Sequence, residues 1–287
     1  MPAHTAMLGQ LVPRKFLANA ATWNSANWHI AAVVGPAIGG LIYGYFGIIA
    51  AYGTIFFSYL ASFLLVWKMD LPHINFVRKT NNIFENIGEG ISFVFKNQLL
   101  LGAFTLDMFA VLFGGAVAIL PAFASNILHV GPQGLGLLRA CPAIGAIIMS
   151  FVLAVKPPVN HTGRILFIGV IGFGLCIIGF ALSKVFWLSA IFLLMSGIFD
   201  NISVVIRQTI LQLFTPEEMK GRVASVNSIF VGSSNELGGF ESGVAAKLMG
   251  LVPSVIFGGS MTLIIVAIIS WRMPYLRKLS LKKELSK

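Results

Sequence analysis

The sequence has few charged residues and little polar surface to face water. Only 10% of its 287 residues are Asp, Glu, Lys or Arg, whereas 57% are hydrophobic and the mean hydropathy is +0.87. A typical soluble domain carries about 25% charged residues. This shortage excludes an ordinary water-soluble protein and a disordered chain, and it predicts an integral membrane protein.

The sequence also has little that points to catalysis or to a bound metal or cofactor. Its two cysteines, Cys141 and Cys176, lie in apolar runs and are expected to be small core residues. The five histidines are scattered, with no pair at metal-ligand spacing. HExxH, G-x-S-x-G and Walker A motifs are absent. We therefore expect no enzyme activity and no cofactor, and an ion gradient is the expected energy source.

Long apolar runs predict an all-α, polytopic membrane protein with about eight transmembrane helices. A crossing needs roughly 20 apolar residues, and these runs are continuously apolar rather than alternating. Gly47 and Gly250 are among the glycines and prolines that separate them. The predicted spans cover residues 26–47, 50–67, 99–123, 133–155, 164–183, 187–212, 224–248 and 251–271.

The basic residues predict how the chain is oriented. All but Arg139, Lys184 and Lys247 of the 20 Lys and Arg residues fall on one side of the predicted spans. Such residues collect on the cytoplasmic side of membrane proteins. We therefore expect a multi-pass protein of the cell inner (cytoplasmic) membrane with both termini cytoplasmic. The net charge of +10 then reflects topology, and no nucleic-acid partner is expected.

The longest loop, from about Lys68 to Gln98, contains an amphipathic segment. A helix over this segment would carry five apolar residues on one face, namely Ile83, Ile87, Ile91, Val94 and Phe95. This pattern favours a helix that lies on the membrane surface. A partner-binding helix is the alternative interpretation.

Two parts of the sequence repeat at an offset of 203 residues. The residues that match without a gap are Pro13 and Pro216, Ala21 and Ala224, Asn24-Ser25 and Asn227-Ser228, Gly35 and Gly238, Gly40 and Gly243, and Gly47 and Gly250. Six predicted spans make up the period, so both copies run in the same direction through the membrane. A parallel repeat is typical of transporters with two halves related by an axis along the membrane normal.

This repeat and the segment Thr215-Pro216-Glu217-Glu218-Met219-Lys220-Gly221-Arg222-Val223 resemble the major facilitator superfamily. The chain is similar to its efflux branch that includes enterobactin exporters in two further segments, Leu11-Val12-Pro13-Arg14 with Leu17-Ala18-Asn19-Ala20, and Asn160-His161-Thr162-Gly163-Arg164. In the last segment Asn160 and His161 replace the usual Asp and Arg of that family. The resemblance implies that the eight spans are helices five to twelve of twelve, so that the first four are lacking.

The resemblance also implies a division of the chain into three parts. Residues 1–68 would form an incomplete N-terminal half, 69–98 a cytoplasmic linker with the amphipathic helix, and 99–287 a six-helix C-terminal half. The implied function is secondary active transport, as proton-coupled efflux of a small amphipathic molecule of drug or siderophore type. The expected partners are the lipid bilayer, the small-molecule substrate, protons and a missing N-terminal segment. The alternative is a truncated, non-transporting remnant or one piece of a split transporter.

Polar and ionisable residues inside the spans are candidates for proton coupling or for the substrate pathway, because such residues are costly in a membrane. These candidates are Asp107, Asp200, Glu236, Glu241, Arg139, Arg207, Asn227 and Ser234. Asp107 and Arg139 are not expected to pair, since their predicted depths differ by about 13 Å. Arg207 shares a helix face with Asp200. The alternative is that each polar residue only satisfies a neighbouring helix.

Residues in the loops are candidates for a gating role. They are Gly163, Arg164, Pro216, Gly221 and Arg222. Thr215-Pro216 also has the pattern of a helix start, with Thr215 as the N-cap.

Overall fold

The computed structural model describes residues 17–68, 83–156, 158, 160–216 and 219–280. Every regular element in these ranges is helical. The helices are α1 (Leu17–Trp67), α2 (Ile83–Lys96), α3 (Gln98–Phe113), α4 (Ala116–Asn126), α5 (Pro132–Val155), α6 (Thr162–Leu182), α7 (Phe186–Phe214), α8 (Lys220–Met249), α9 (Leu251–Arg272) and α10 (Pro274–Arg277). Residues 11–14 and 217–218 of the motifs above lie outside the described ranges.

Six helical segments of the described ranges are long and apolar enough to cross a membrane. They are Val34–Trp67, Gln98–Asn126, Pro132–Leu153, Thr162–Leu182, Phe186–Leu211 and Leu251–Arg272. Large apolar side chains such as Phe240 and Trp271 are mostly exposed, as expected for a surface that meets lipid rather than water. The chain is an all-α polytopic membrane protein, as the sequence predicts.

The number six differs from the eight predicted spans for two physical reasons. Val34–Trp67 contains two predicted spans, which are divided at Gly47, where φ is 80° and ψ is −179°. The span predicted at 224–248 forms most of α8, which is 30 residues long. The small and polar residues of α8 lower its hydropathy, so it is not among the six segments that are apolar enough to cross a membrane.

The chain divides into two compact units. The first unit comprises Met1–Thr80 with Gly131–Ala140, and the second comprises Asn81–Val130 with Cys141–Lys287. Within the first unit, α1 packs closely against the start of α5. A Cβ atom added at Gly40 would lie 2.7 Å from the carbonyl oxygen of Pro132, so only glycine allows this approach.

The core of the second unit lies where five helices meet. Helix α6 packs along α7 and α9, and α3 packs along α8 and α9. The core is made of large apolar side chains from these helices, among them Leu100, Phe104, Leu106, Leu166, Ile206, Ile210, Val223 and Val226. Cys141 and Cys176 are buried and unpaired.

Helix α2 packs against α8, and a single residue, Asn97, connects it to α3. Asn97 caps α3, because its side chain accepts hydrogen bonds from the backbone N–H groups of Leu99 (3.1 Å) and Leu100 (3.3 Å). Val94 is fully buried, whereas Ile91 and Phe95 are exposed. The amphipathic segment is therefore helical, and it meets α8 at Gly90, where a Cβ atom would lie 3.0 Å from the carbonyl oxygen of Arg222.

Candidate functional site

The span predicted at 99–123 is interrupted between α3 and α4. Helix α3 ends with Gly114, whose backbone N–H bonds to the carbonyl oxygen of Ala110 at 2.8 Å, and α4 begins after Gly115. The predicted span is confirmed as the apolar segment Gln98–Asn126, which consists of two helices rather than one. The run is apolar throughout, so hydropathy gives no sign of the break, although two adjacent glycines favour one.

Two other glycines allow neighbouring helices to approach this break. A Cβ atom added at Gly238 of α8 would lie 2.8 Å from the carbonyl oxygen of Leu112, and one added at Gly258 of α9 would overlap that of Phe113. Non-helical backbone at membrane depth is tolerated where protein buries it or where it lines a cavity. Both conditions are met here.

A cavity of about 390 Å³ lies beside the break, inside the second unit. Its volume falls in the range of small-molecule pockets, roughly 300–1,000 Å³. The lining is mainly apolar, and its residues are Val111, Gly114, Gly115, Val117, Ala118, Pro142, Phe173, Ile177, Leu193, Ser196, Gly197, Asp200, Asn235 and Gly239. Discontinuous membrane helices frequently form binding sites near mid-membrane, so this cavity is the candidate site.

Among the described residues that line the cavity, Asp200 alone has an ionisable side chain. It lies midway along the 29-residue helix α7, about 21 Å from either end by helix rise. The side chain is half-buried, and within the described ranges it makes no hydrogen bond or ion pair. The site therefore has an acidic side chain without an ion-pair partner in the middle of α7.

Asp107 on α3 forms a buried ion pair with Arg207 on α7. Both residues are nearly inaccessible, at 5% and 4% exposure. The Nε atom of Arg207 is buried and has no hydrogen-bond partner among the described residues. Arg207 shares a helix face with Asp200, as predicted from the spacing, but its ion-pair partner, Asp107, is on another helix.

The neutral polar groups of the cavity wall donate hydrogen bonds to the backbone. The hydroxyl of Ser196 donates to the carbonyl oxygen of Leu193 at 2.7 Å. The amide nitrogen of Asn235 donates one of its two hydrogen atoms to the carbonyl oxygen of Val231 at 2.9 Å. The serine oxygen and the amide oxygen of Asn235 remain acceptors, and the second N–H of this amide remains a donor.

The remaining in-span candidates lie apart from this cavity's lining. Asn227 and Ser234 are buried in α8, and Glu241 is half-buried. Glu236 is exposed, beside a shallow groove on the outer face of α8. Arg139 is exposed and belongs to the first unit.

One gating-loop candidate, Gly163, contacts the segment that contains Leu276 and Leu279. Gly163, at the start of α6, is buried against the carbonyl group of Leu276, where a Cβ atom would overlap it. Its N–H donates to the carbonyl oxygen of Leu279 at 3.1 Å. The next residue, Arg164, is exposed.

The candidates between α7 and α8 fall into two groups. Pro216 and Gly221 are exposed, whereas Arg222 forms an ion pair with Glu89 of α2. Thr215 is the C-cap of α7, and its hydroxyl has no hydrogen-bond partner among the described residues. The helix start predicted at Thr215 includes residues 217–218, which lie outside the described ranges, and α8 begins at Lys220 after Met219.

The sequence analysis missed several residues of this region. Glu89 lies in the linker and carried no signal beyond its charge. The side chains of Asn201 and Ser150 are hydrogen-bonded at 3.0 Å between α7 and α5, inside the second unit. Neither pairing could be found without knowing which helices are neighbours.

Comparison with known proteins places these features in a family context. The model of a family described as transmembrane secretion effector matches residues 1–285. Enterobactin exporters of Citrobacter koseri and Salmonella typhimurium are 25% and 26% identical to the chain over 218 residues, which cover 74% of this chain and 51% of each exporter. The chain therefore spans about half the length of the curated relatives it matches.

One solved structure resembles the fold. It is the crystal structure of a bacterial homologue of the human lysosomal transporter Spinster, in an inward-facing and unoccupied conformation. The TM-score is 0.62 with 14% sequence identity, and the match covers 96% of this chain and 73% of that chain. At this identity, the likeness concerns the fold alone.

Proposed function

Because the chain belongs to the transmembrane secretion effector family of the major facilitator superfamily, we propose that it acts as a secondary active transporter that exports a small amphipathic molecule in exchange for protons. The observation that carries the proposal is Asp200. It is an unpaired carboxyl group at mid-helix on the wall of a ligand-sized cavity. A charged carboxylate without a partner is costly inside a membrane.

The proposed coupling follows from this cost. Asp200 holds a proton when the cavity is empty of cargo and releases it when cargo enters, so that the two occupy the site in turn. Asp107 has a different part, since Arg207 already compensates its charge. We assign Asp107 and Arg207 to holding α3 against α7 as the site changes state.

The cavity wall and the relatives both support a small amphipathic cargo. Phe173, Ile177 and Leu193 provide apolar surface, and Asn235 adds a polar contact. The matched relatives are named as enterobactin exporters. A cargo of siderophore or drug type is therefore the proposed class.

The proposed location is the cell inner membrane, with both chain termini in the cytoplasm. Lys96, Lys156 and Arg164 would then lie at the cytoplasmic ends of their helices, and Lys184 in an outer loop. The rule that basic residues stay on the cytoplasmic side supports this orientation.

Transport assays on reconstituted vesicles test the proposal. The chain is inserted into proteoliposomes with an imposed pH gradient, and proton release on cargo addition is followed with an enclosed pH-sensitive dye. We expect Asp200→Asn to abolish coupled proton movement and Asp200→Glu to retain part of it. Unchanged coupling in folded Asp200→Asn would overturn the assignment.

A further inference from the structure

The lining of the cavity beside the break between α3 and α4 indicates which kind of ligand would bind there. Segments of six helices, all within the second unit, surround it, so the ligand would be held by parts of one compact unit. Phe173, Ile177 and Leu193 form an apolar wall, which suits a hydrocarbon body.

The charge that the cavity wall can carry is negative. Of the lining residues that the structure describes, Asp200 alone is ionisable, and none is Lys, Arg or His. The arginine nearest in sequence on α7, Arg207, is engaged by Asp107. The C-terminal end of α3 and the N-terminal end of α4 meet at the break, so their opposite partial charges offset each other and the carboxylate decides the sign.

Most of the side-chain polar groups left free in the cavity are hydrogen-bond acceptors. Ser196 and Asn235 each donate one hydrogen bond to a backbone carbonyl group, which leaves an acceptor oxygen on each and one N–H on the Asn235 amide. Asp200 adds two more acceptors and a negative charge when it is ionised. A ligand with hydrogen-bond donors and a positive charge complements this wall.

We infer that the cavity binds a protonated organic amine with an aromatic or alkyl body. The ammonium group pairs with Asp200 and donates to the oxygens of Ser196 and Asn235, while the body packs on the apolar wall. The ring of Phe173 adds a surface that favours a cation. The role of this amine as cargo rests on the proposed function, but its binding does not.

A proton and the amine compete for the same carboxylate, so binding weakens as the pH falls. The other titratable side chains in the membrane portions of the surrounding helices are Asp107, Arg139, Cys141, Cys176, Arg207, Glu236 and Glu241, and none of them is among the described residues that line the cavity. Asp107 and Arg207 neutralise each other. The pH dependence is therefore assigned to Asp200.

Binding of three matched probes to the 287-residue chain in lipid nanodiscs tests this inference. The probes are 4-biphenylmethylamine, 4-biphenylmethanol and 4-biphenylcarboxylate, which share one body and differ in charge. Affinity is measured by calorimetry, with empty nanodiscs subtracted. We expect the amine to bind about tenfold tighter than the alcohol, as for a charge-assisted hydrogen bond. Equal affinities of amine and alcohol, or tightest binding of the carboxylate, would overturn it.

Variants assign the effect to Asp200. Asp200→Asn should remove the preference for the amine, and Asp200→Glu should keep it. Asn235→Leu, which retains the charge, should weaken amine binding by a smaller factor and serves if Asp200→Asn does not fold. The control Glu89→Gln removes a carboxylate far from the cavity lining and should leave all three affinities unchanged. An amine preference that persists in folded Asp200→Asn contradicts the inference.

The outcome also separates this inference from the transport proposal. Selective amine binding without any coupled proton movement would overturn the transport proposal alone. Coupled transport of the alcohol or the carboxylate, with no selective amine binding, would overturn the amine inference alone.

Discussion

Gly47 and Gly250 adopt nearly the same unusual backbone conformation. Their φ and ψ angles are 80° and −179° at Gly47, and 92° and 163° at Gly250. The two residues occupy matching positions of the repeat, 203 residues apart, and each ends one helix and starts the next. The repeat seen in the sequence therefore extends to the backbone at its closing turn.

Replacing either glycine should destabilise the protein. Side chains rarely adopt this region, and Gly47→Ala or Gly250→Ala should each lower the free energy of unfolding by about 1–3 kcal/mol. Gly53→Ala and Gly243→Ala are matched controls, since a Cβ atom there meets nothing within 4 Å and the backbone is helical. Thermal unfolding in detergent measures the difference. Equal melting temperatures for a turn variant and its control would contradict the prediction.

Breaking the Asp107–Arg207 ion pair should be strongly destabilising. Asp107→Ala or Arg207→Ala leaves an uncompensated buried charge, which should lower the free energy of unfolding by about 3–5 kcal/mol. The double variant Asp107→Leu with Arg207→Met removes both charges and should recover most of the loss. Denaturant unfolding of the single and double variants checks this. Additive losses in the double variant would show that the pair is not the cause.

The Glu89–Arg222 ion pair should contribute far less. Its side chains are 53% and 30% exposed, so water screens the interaction. Glu89→Gln and Arg222→Gln should each change the free energy of unfolding by at most about 1 kcal/mol. Exchanging the charges, as Glu89→Arg with Arg222→Glu, should restore the original value in the same unfolding assay. A loss as large as that from Asp107→Ala would mean that the contact has a larger structural role.

The proposed orientation predicts which loops can be labelled from outside. A membrane-impermeant maleimide applied to intact spheroplasts should modify Lys184→Cys but not Lys156→Cys, and both should react after permeabilisation. Cys141 and Cys176 are buried, so the native background is low. The opposite labelling pattern would reverse the assignment of both termini to the cytoplasm.

The sequence predicts the helices better than it predicts their partners. Apolar runs locate the spans because the membrane requires them, and the match of Gly47 with Gly250 locates a turn in both copies. The Asp107–Arg207 pair could not be predicted, since the two residues are 100 positions apart and helix depth alone does not identify neighbours. The break at Gly114 is not predicted, because hydropathy depends on composition alone. At the break, α8 and α9 approach α3 through Gly238 and Gly258.

The amphipathic segment shows the same limit on a smaller scale. Periodicity identified a helix with an apolar face, and α2 is a helix. It could not show that Val94 is buried while Ile91 and Phe95 stay exposed, because that depends on the angle at which α2 meets α8.

The Asn97 cap has a mechanical consequence. Helix α2 ends at Lys96 and α3 begins at Gln98, so one residue joins them and its side chain is fixed to the first turn of α3. The two helices therefore meet without an intervening loop, and both pack against α8. A change in the angle between them has to be taken up at Asn97 and at the two hydrogen bonds of its side chain.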